Sequence, residues 1–149
     1  MYKHILIQTD GSDLSTKAIK QGVALAKSLR AKVTAVTVSP TYHAFFHAFA
    51  AEPLMVTDTE QEYRKDSAAH AKKILDVAKN AAKAAGVRFE EVHAVNDQPY
   101  KAIISTASRK GCDLIFMASH GWMGLSAFIL GSETNKVLTH SKIPVLVRR

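Results

Sequence analysis

Short apolar runs alternate with amphipathic helical patterns along this chain, and that alternation restricts its fold more than any other feature. His4 to Thr9 reads as a short buried strand. From Leu14, apolar or small residues recur at Ala18, Gly22, Leu25 and Leu29, the spacing of one helix face, with Ser12 or Asp13 placed to cap. Lys32 to Val38 is β-branched and predicts a second strand. A helical pattern then runs from about Glu60 to Ala85 through Ala71, Ile74, Leu75, Ala78 and Ala82, and stops at Gly86. Arg88 to Val95 alternates as a strand, with Phe89 and Val92 as its larger apolar members. Pro99 starts a third helix through Ile103, Ile104 and Ala107 that ends near Gly111. A strand over 112–117, a helix from about Glu133 to His140 and a last strand from Pro144 to Arg148 complete the series.

Strands separated by helical crossovers predict an α/β fold, a single doubly wound open sheet of five mostly parallel strands with helices on both faces. Right-handed crossovers leave few topologies. No repeat or linker interrupts the pattern, and 149 residues suit one domain spanning 1–149. In such sheets ligands sit beyond the carboxyl ends of the strands, where the strand order reverses.

Two loops leave strand ends with suggestive chemistry. Ala118-Ser-His-Gly121-Trp-Met-Gly124 follows the fourth strand and runs on to Gly131-Ser132 and a helix. A strand that empties into a glycine-rich loop and then a helix N-terminus can present several backbone N–H groups to one anion. Thr9-Asp10-Gly11-Ser12 follows the first strand. If the two strands are neighbours, both loops line one crevice, and nucleotide or phosphate binding is the first expectation.

Charge and cysteine content narrow the other classes. The formal net charge is +7, but the cations are spread along helix faces, at Lys17, Lys20 and Lys27 and at Lys72, Lys73, Lys79 and Lys83. No basic arm or aromatic-basic module appears, so nucleic acid is not the expected partner. No apolar run approaches the ~18 residues of a membrane span. The first strand begins too early to leave room for a signal peptide. A single cysteine inside an apolar run, Cys112, reads as a buried structural thiol. A cytoplasmic protein is expected.

These residues resemble the universal stress protein family. The resemblance covers essentially the whole chain and is most specific over 113–147, with a Ser-His-Gly turn, nine residues to Gly131-Ser132, and Ile143-Pro-Val-Leu-Val. It implies strand order 3-2-1-4-5, a homodimer, and ATP held between the ends of the first and fourth strands. Carried over by position, Thr9 and Asp10 lie at the adenosine end, with Asp10 meeting the ribose. Val38 offers its backbone beside the adenine and Met117 packs nearby. Gly121, Gly131, Ser132 and the amides of Glu133 and Thr134 surround the phosphates, with His120 close by, and Ala118 and Ser119 belong to the same binding loop. The resemblance implies a nucleotide-responsive regulatory protein rather than an enzyme, with slow hydrolysis left open; Mg²⁺ is expected with ATP on the chemistry of Glu133.

Each position also has a plainer reading. Asp10 is suited to an Asx turn before a helix, and Ser132 to an N-cap. Gly121 and Gly124 suit a turn, and Gly131 a positive φ angle. His120 reads as a neutral hydrogen-bonding side chain. Two residues depart from the family pattern. Ala118 stands where the pattern has glycine, which costs on the order of 1 kcal/mol if the backbone needs φ > 0, and threatens a clash if the ligand packs on that Cα. Glu133 favours the helix dipole but competes with phosphate for the same amides. A divalent metal bridging carboxylate and phosphates would relieve that competition. The alternative is therefore a family member that has lost ATP and acts as a protein-binding dimer.

The segment from Pro40 to Thr59 suggests a loop with a short helix, serving as a lid or partner surface. Its aromatics Phe45, Phe46 and Phe49 could cover the nucleotide or a partner. His43 and His47 are one helical turn apart, but a two-histidine pair without a third ligand is weak evidence for metal. The last strand, 144–148, would lie at a sheet edge with few charges and invites pairing with its own copy. Two further classes fit less well. Thr9-Asp-Gly-Ser-Asp13 lacks the Ser-Gly-Gly-x-Asp-Ser loop of pyrophosphatase-loop enzymes. A phospho-acceptor receiver needs an aspartate at the third strand's end, which Asn96-Asp97 only loosely supplies.

Overall fold

In a computed structural model, residues 1–49, 59–121 and 130–149 are described. The elements are β1 (His4–Gln8), α1 (Asp13–Leu29), β2 (Lys32–Ser39), α2 (Tyr42–Phe49), α3 (Glu60–Ala85), β3 (Phe89–Val95), α4 (Pro99–Lys110), β4 (Leu114–Ala118), α5 (Ser132–His140) and β5 (Val145–Arg148). The strands form one sheet in the order β3-β2-β1-β4-β5, the expected order. Every adjoining pair is parallel, with Ile5 opposite Val33 on one side and Leu114 on the other.

β1 lies at the centre, and the pleat sends its successive side chains to opposite faces. Ile5 and Ile7 join Ile19, Val23, Leu75 and Ala78 beneath α1 and α3. Leu6 joins Ile103, Ala107 and Val137 beneath α4 and α5. All three β1 side chains are fully buried, and each such apolar side chain is worth about 1.5–3 kcal/mol relative to exposure. The uninterrupted apolar run of β1 thus follows from a strand that has no solvent face.

Helix boundaries follow local chemistry. Ser12, not Asp13, caps α1, its hydroxyl accepting the Ser15 amide at 3.2 Å. Thr59 caps α3 through the Glu62 amide at 3.1 Å. The fourth strand begins at Leu114, two residues later than its apolar run. Cys112 closes the end of α4 by donating its amide to the Ala107 carbonyl. Asp113 turns back to β1, its carboxylate accepting the amides of Lys3 at 2.8 Å and His4 at 3.0 Å. Burial pushes the Cys112 thiol up to about 11, so it stays protonated.

α2 is the short helix expected after Pro40. It docks on α3, with the Phe45 ring 4.6 Å and the Tyr42 ring 5.6 Å from that of Tyr63. Thr41, just before it, donates its amide and hydroxyl to the Asp97 carboxylate at the end of β3. The His43 and His47 rings meet edge to face at 4.3 Å. Among the described residues no cluster of three or more possible metal ligands exists. The rest of the expected lid, 50–58, the Phe49 side chain and the turn at Gly124 lie outside the described residues.

Candidate functional site

β1 and β4 are neighbours, yet the chain leaves β1 toward β2 on one side and leaves β4 toward β5 on the other. Their carboxyl ends therefore diverge into a crevice. A cavity of about 500 Å³ fills it, lined by Gln8 at the end of β1 and Asp10 just beyond it, Val38 from β2, Met117, Ala118, His120 and Gly121 around the end of β4, and Gly131 to Thr134 at the start of α5. Of the positions carried over by resemblance, all but Thr9 and Ser119 line this cavity.

Those two residues shape the loops from behind. Thr9 is fully buried and its hydroxyl meets that of Ser15 at 3.1 Å. Ser119 is buried, donates its amide to the Arg148 carbonyl at 2.8 Å and accepts the Gly131 amide at 2.7 Å. Its hydroxyl lies 3.1 Å from Nδ1 of His120. The loop after β4 is thereby fastened both to the last strand and to the start of α5.

The glycines are explained by close approach. Gly131 has φ −60 and is the N-cap of α5, so it neither needs a positive φ nor leaves Ser132 as the cap; Ser132 is the first helical residue. A side chain at Gly131 would be tight: a Cβ would stand 3.1 Å from the His120 Cα and 3.3 Å from the Ser119 carbonyl oxygen, so the backbone there would have to give by a few tenths of an ångström. At Gly121 a Cβ would collide with the Asp10 carboxylate. Gly121 thus lets the loop after β4 approach the Asp10 side chain, and Gly131 lets the start of α5 approach the backbone leaving β4.

Asp10 keeps the turn role expected of it, accepting the Ser12 amide at 2.9 Å, while it also lines the cavity. Ala118 is an extended strand residue opposite Arg148, and Arg30 is the one non-glycine residue with positive φ among those described. The strain considered for Ala118 therefore does not arise. Its carbonyl accepts the buried Thr134 hydroxyl at 3.0 Å, which pins the first turn of α5 against β4.

The first amides of a helix have no carbonyl one turn back to accept them. At α5 the cap position supplies no side chain, and the helix dipole adds partial positive charge at that end. The same cavity is lined by the apolar Val38, Ile103 and Met117. The cavity thus combines apolar side chains with the donor-rich start of α5, a lining suited to a flat base joined to an anionic group.

Glu133 has partners of its own. One carboxylate oxygen accepts the Tyr100 amide at 2.9 Å and the other meets Lys136 Nζ at 3.2 Å. Sequence reasoning missed Gln8, Ser15, Pro99 and Ile103 in the lining. Pro99 at the start of a predicted helix beyond a strand end was the available signal, because a helix beginning at the sheet's carboxyl edge must border the crevice.

The model of the universal stress protein family matches residues 1–149. Universal stress protein YxiE of Bacillus subtilis is 33% identical over 149 residues, covering all of both chains. The solved structure of hypothetical protein MJ0577, from Methanocaldococcus jannaschii, matches with a TM-score of 0.81 at 27% identity over 100% of this chain and 98% of that one. A universal stress protein in complex with cAMP matches with a TM-score of 0.67 at 24% identity, covering 99% and 97% of the two chains. One from Archaeoglobus fulgidus in complex with dAMP gives 0.71 at 19% identity over 99% and 98%. The last two share the fold.

Proposed function

This chain belongs to the universal stress protein family, and on that premise we propose that it binds an adenine nucleotide, ATP with Mg²⁺, in the cavity between the ends of β1 and β4. The observation that carries this is the convergence of the loops after β1 and β4 with the open N-terminus of α5 around about 500 Å³ of space. Adenine nucleotides in two proteins of the same fold, cAMP in one and dAMP in the other, support the ligand class.

In this reading the adenine lies against Val38 and Met117, with the Val38 backbone beside its edge, and Asp10 takes the ribose. Gly121, Gly131, Ser132 and the amides of Glu133 and Thr134 surround the phosphates, with His120 close by. Asp10 and Glu133 are the acidic residues of the described lining. They could give Mg²⁺ at most one or two protein ligands, which is how Mg²⁺ is commonly held beside phosphates.

Binding rather than turnover is the proposed outcome: ATP alters the surface of a cytoplasmic homodimer that signals to a protein partner. The dimer forms through residues 144–148. β5 is an edge strand with Leu146 exposed, and a short apolar edge can pair with a copy of itself. The second reading, a dimer that has lost ATP, is favoured by the methyl of Ala118 in the lining. Calorimetric titration of nucleotide-stripped protein with MgATP separates the two. Micromolar binding at one site per chain supports the first, and no heat with millimolar nucleotide supports the second.

A further inference from the structure

Among the described residues that line the cavity are two carboxylates, Asp10 and Glu133, one histidine, His120, and no lysine or arginine. Lys136, on the next turn of α5, is paired with Glu133 Oε1. Glu133 itself is held in place. Its Oε2 accepts the amide of Tyr100, the second residue of α4, which follows a proline without an N–H. Gln98, at the cap position of α4, makes no side-chain cap bond. Glu133 therefore does from α5 what an N-cap residue would do for α4, and its carboxylate is fixed in the first turn of α5.

We propose that Glu133 is a specificity-determining residue that selects the adenine ligand by charge, excluding metal-free triphosphate and admitting nucleoside, monophosphate or the magnesium complex of the triphosphate. This rests on the nucleotide reading above. The partial charge at a helix N-terminus is only about half a unit, whereas fully ionised ATP carries several negative charges. A fixed carboxylate in the lining repels each of them, with the paired Lys136 offsetting part of that repulsion. Chelated Mg²⁺ removes two of those charges, and adenosine carries none, so the effect of Glu133 grows with the charge of the ligand.

The test is a set of dissociation constants for adenosine, AMP, ATP in excess chelator and MgATP, measured on wild type and on Glu133→Gln. The glutamine retains an oxygen for the Tyr100 amide, so the charge is removed while the cap stays. Metal-free ATP is expected to bind at least about tenfold tighter to the variant, with adenosine unchanged within about twofold and AMP between them. Lys136→Gln, an exposed change that strips the carboxylate of its cation, is expected to weaken metal-free ATP and spare adenosine. Equal effects on all ligands, or none, overturn the role of Glu133 and leave the nucleotide reading standing. Failure of adenosine and MgATP alike to bind wild type overturns both.

Discussion

A Cβ at Gly131 would stand 3.1 Å from the Cα of His120 and 3.2 Å from its Cβ. The start of α5 thus rests closely on the backbone leaving β4, and a side chain between them would have to push that backbone aside. Gly131→Val is expected to lower stability by about 1–3 kcal/mol through overpacking, and to push α5 out of the crevice. Thermal unfolding and MgATP titration check both effects. Wild-type behaviour in the two assays would show that the contact is not structural.

The Glu133 cap of α4 has its own stability consequence. Glu133→Ala leaves the Tyr100 amide without its carboxylate and should destabilise by about 1 kcal/mol, whereas Glu133→Gln should lose much less. A chemical denaturation midpoint for each variant decides it; equal losses would mean that the charge, not the accepted hydrogen bond, matters for stability.

Much of this architecture was legible in the sequence because its causes are local or periodic. β1, β2 and α3 declare themselves by β-branched runs and helical spacing, and one rule about strand ends then brings Asp10 and Gly121 together. The misses are tertiary. Nothing near Glu133 in sequence announces that Tyr100, on another helix, donates its amide to the carboxylate. The Gly131 backbone is unremarkable in φ; its reason lies in the approach of His120. The late start of β4 likewise depends on Asp113 finding the amides of Lys3 and His4 across the sheet.

Asp113 should make the fold acid-sensitive. Burial alone would raise its carboxyl, but the amides of His4 and Lys3 outweigh it and hold it below the ordinary value of 3.8. A depressed folded value means that the stabilisation is present above the unfolded value and is lost as pH falls through the folded one. Asp113→Ala should therefore lower the melting temperature at pH 7 and flatten its decline below about pH 4. Parallel curves for variant and wild type would count against this.

Two histidines act at milder pH. Burial pushes His4 down, with the Lys32 ammonium adding to it, and burial pushes His93 down. His4 Nε2 lies 2.7 Å from the Thr34 hydroxyl and His93 Nε2 lies 2.9 Å from that of Ser39. With folded values below 6.5, the unfolded chain binds more protons as pH drops, so stability falls from about pH 6.5 downward. Replacing both by glutamine should make the melting temperature less steep between pH 7 and 5. An unchanged slope would remove these residues from the account.

If β5 carries the dimer, Leu146→Lys should abolish it, because Leu146 is 40% exposed on the edge strand and a charge there opposes pairing. Sedimentation of the variant as a monomer beside a dimeric wild type is the expected result. A variant that stays dimeric points to another surface.

The central claim is that the crevice at the ends of β1 and β4 holds an adenine nucleotide, and amide NMR during titration with MgATP tests it most directly. The predicted result is saturable shifts confined to Gln8–Asp10, Val38, Met117–Gly121 and Gly131–Thr134. Unchanged amides at millimolar MgATP, or shifts gathered on α2 and α3 instead, would contradict it.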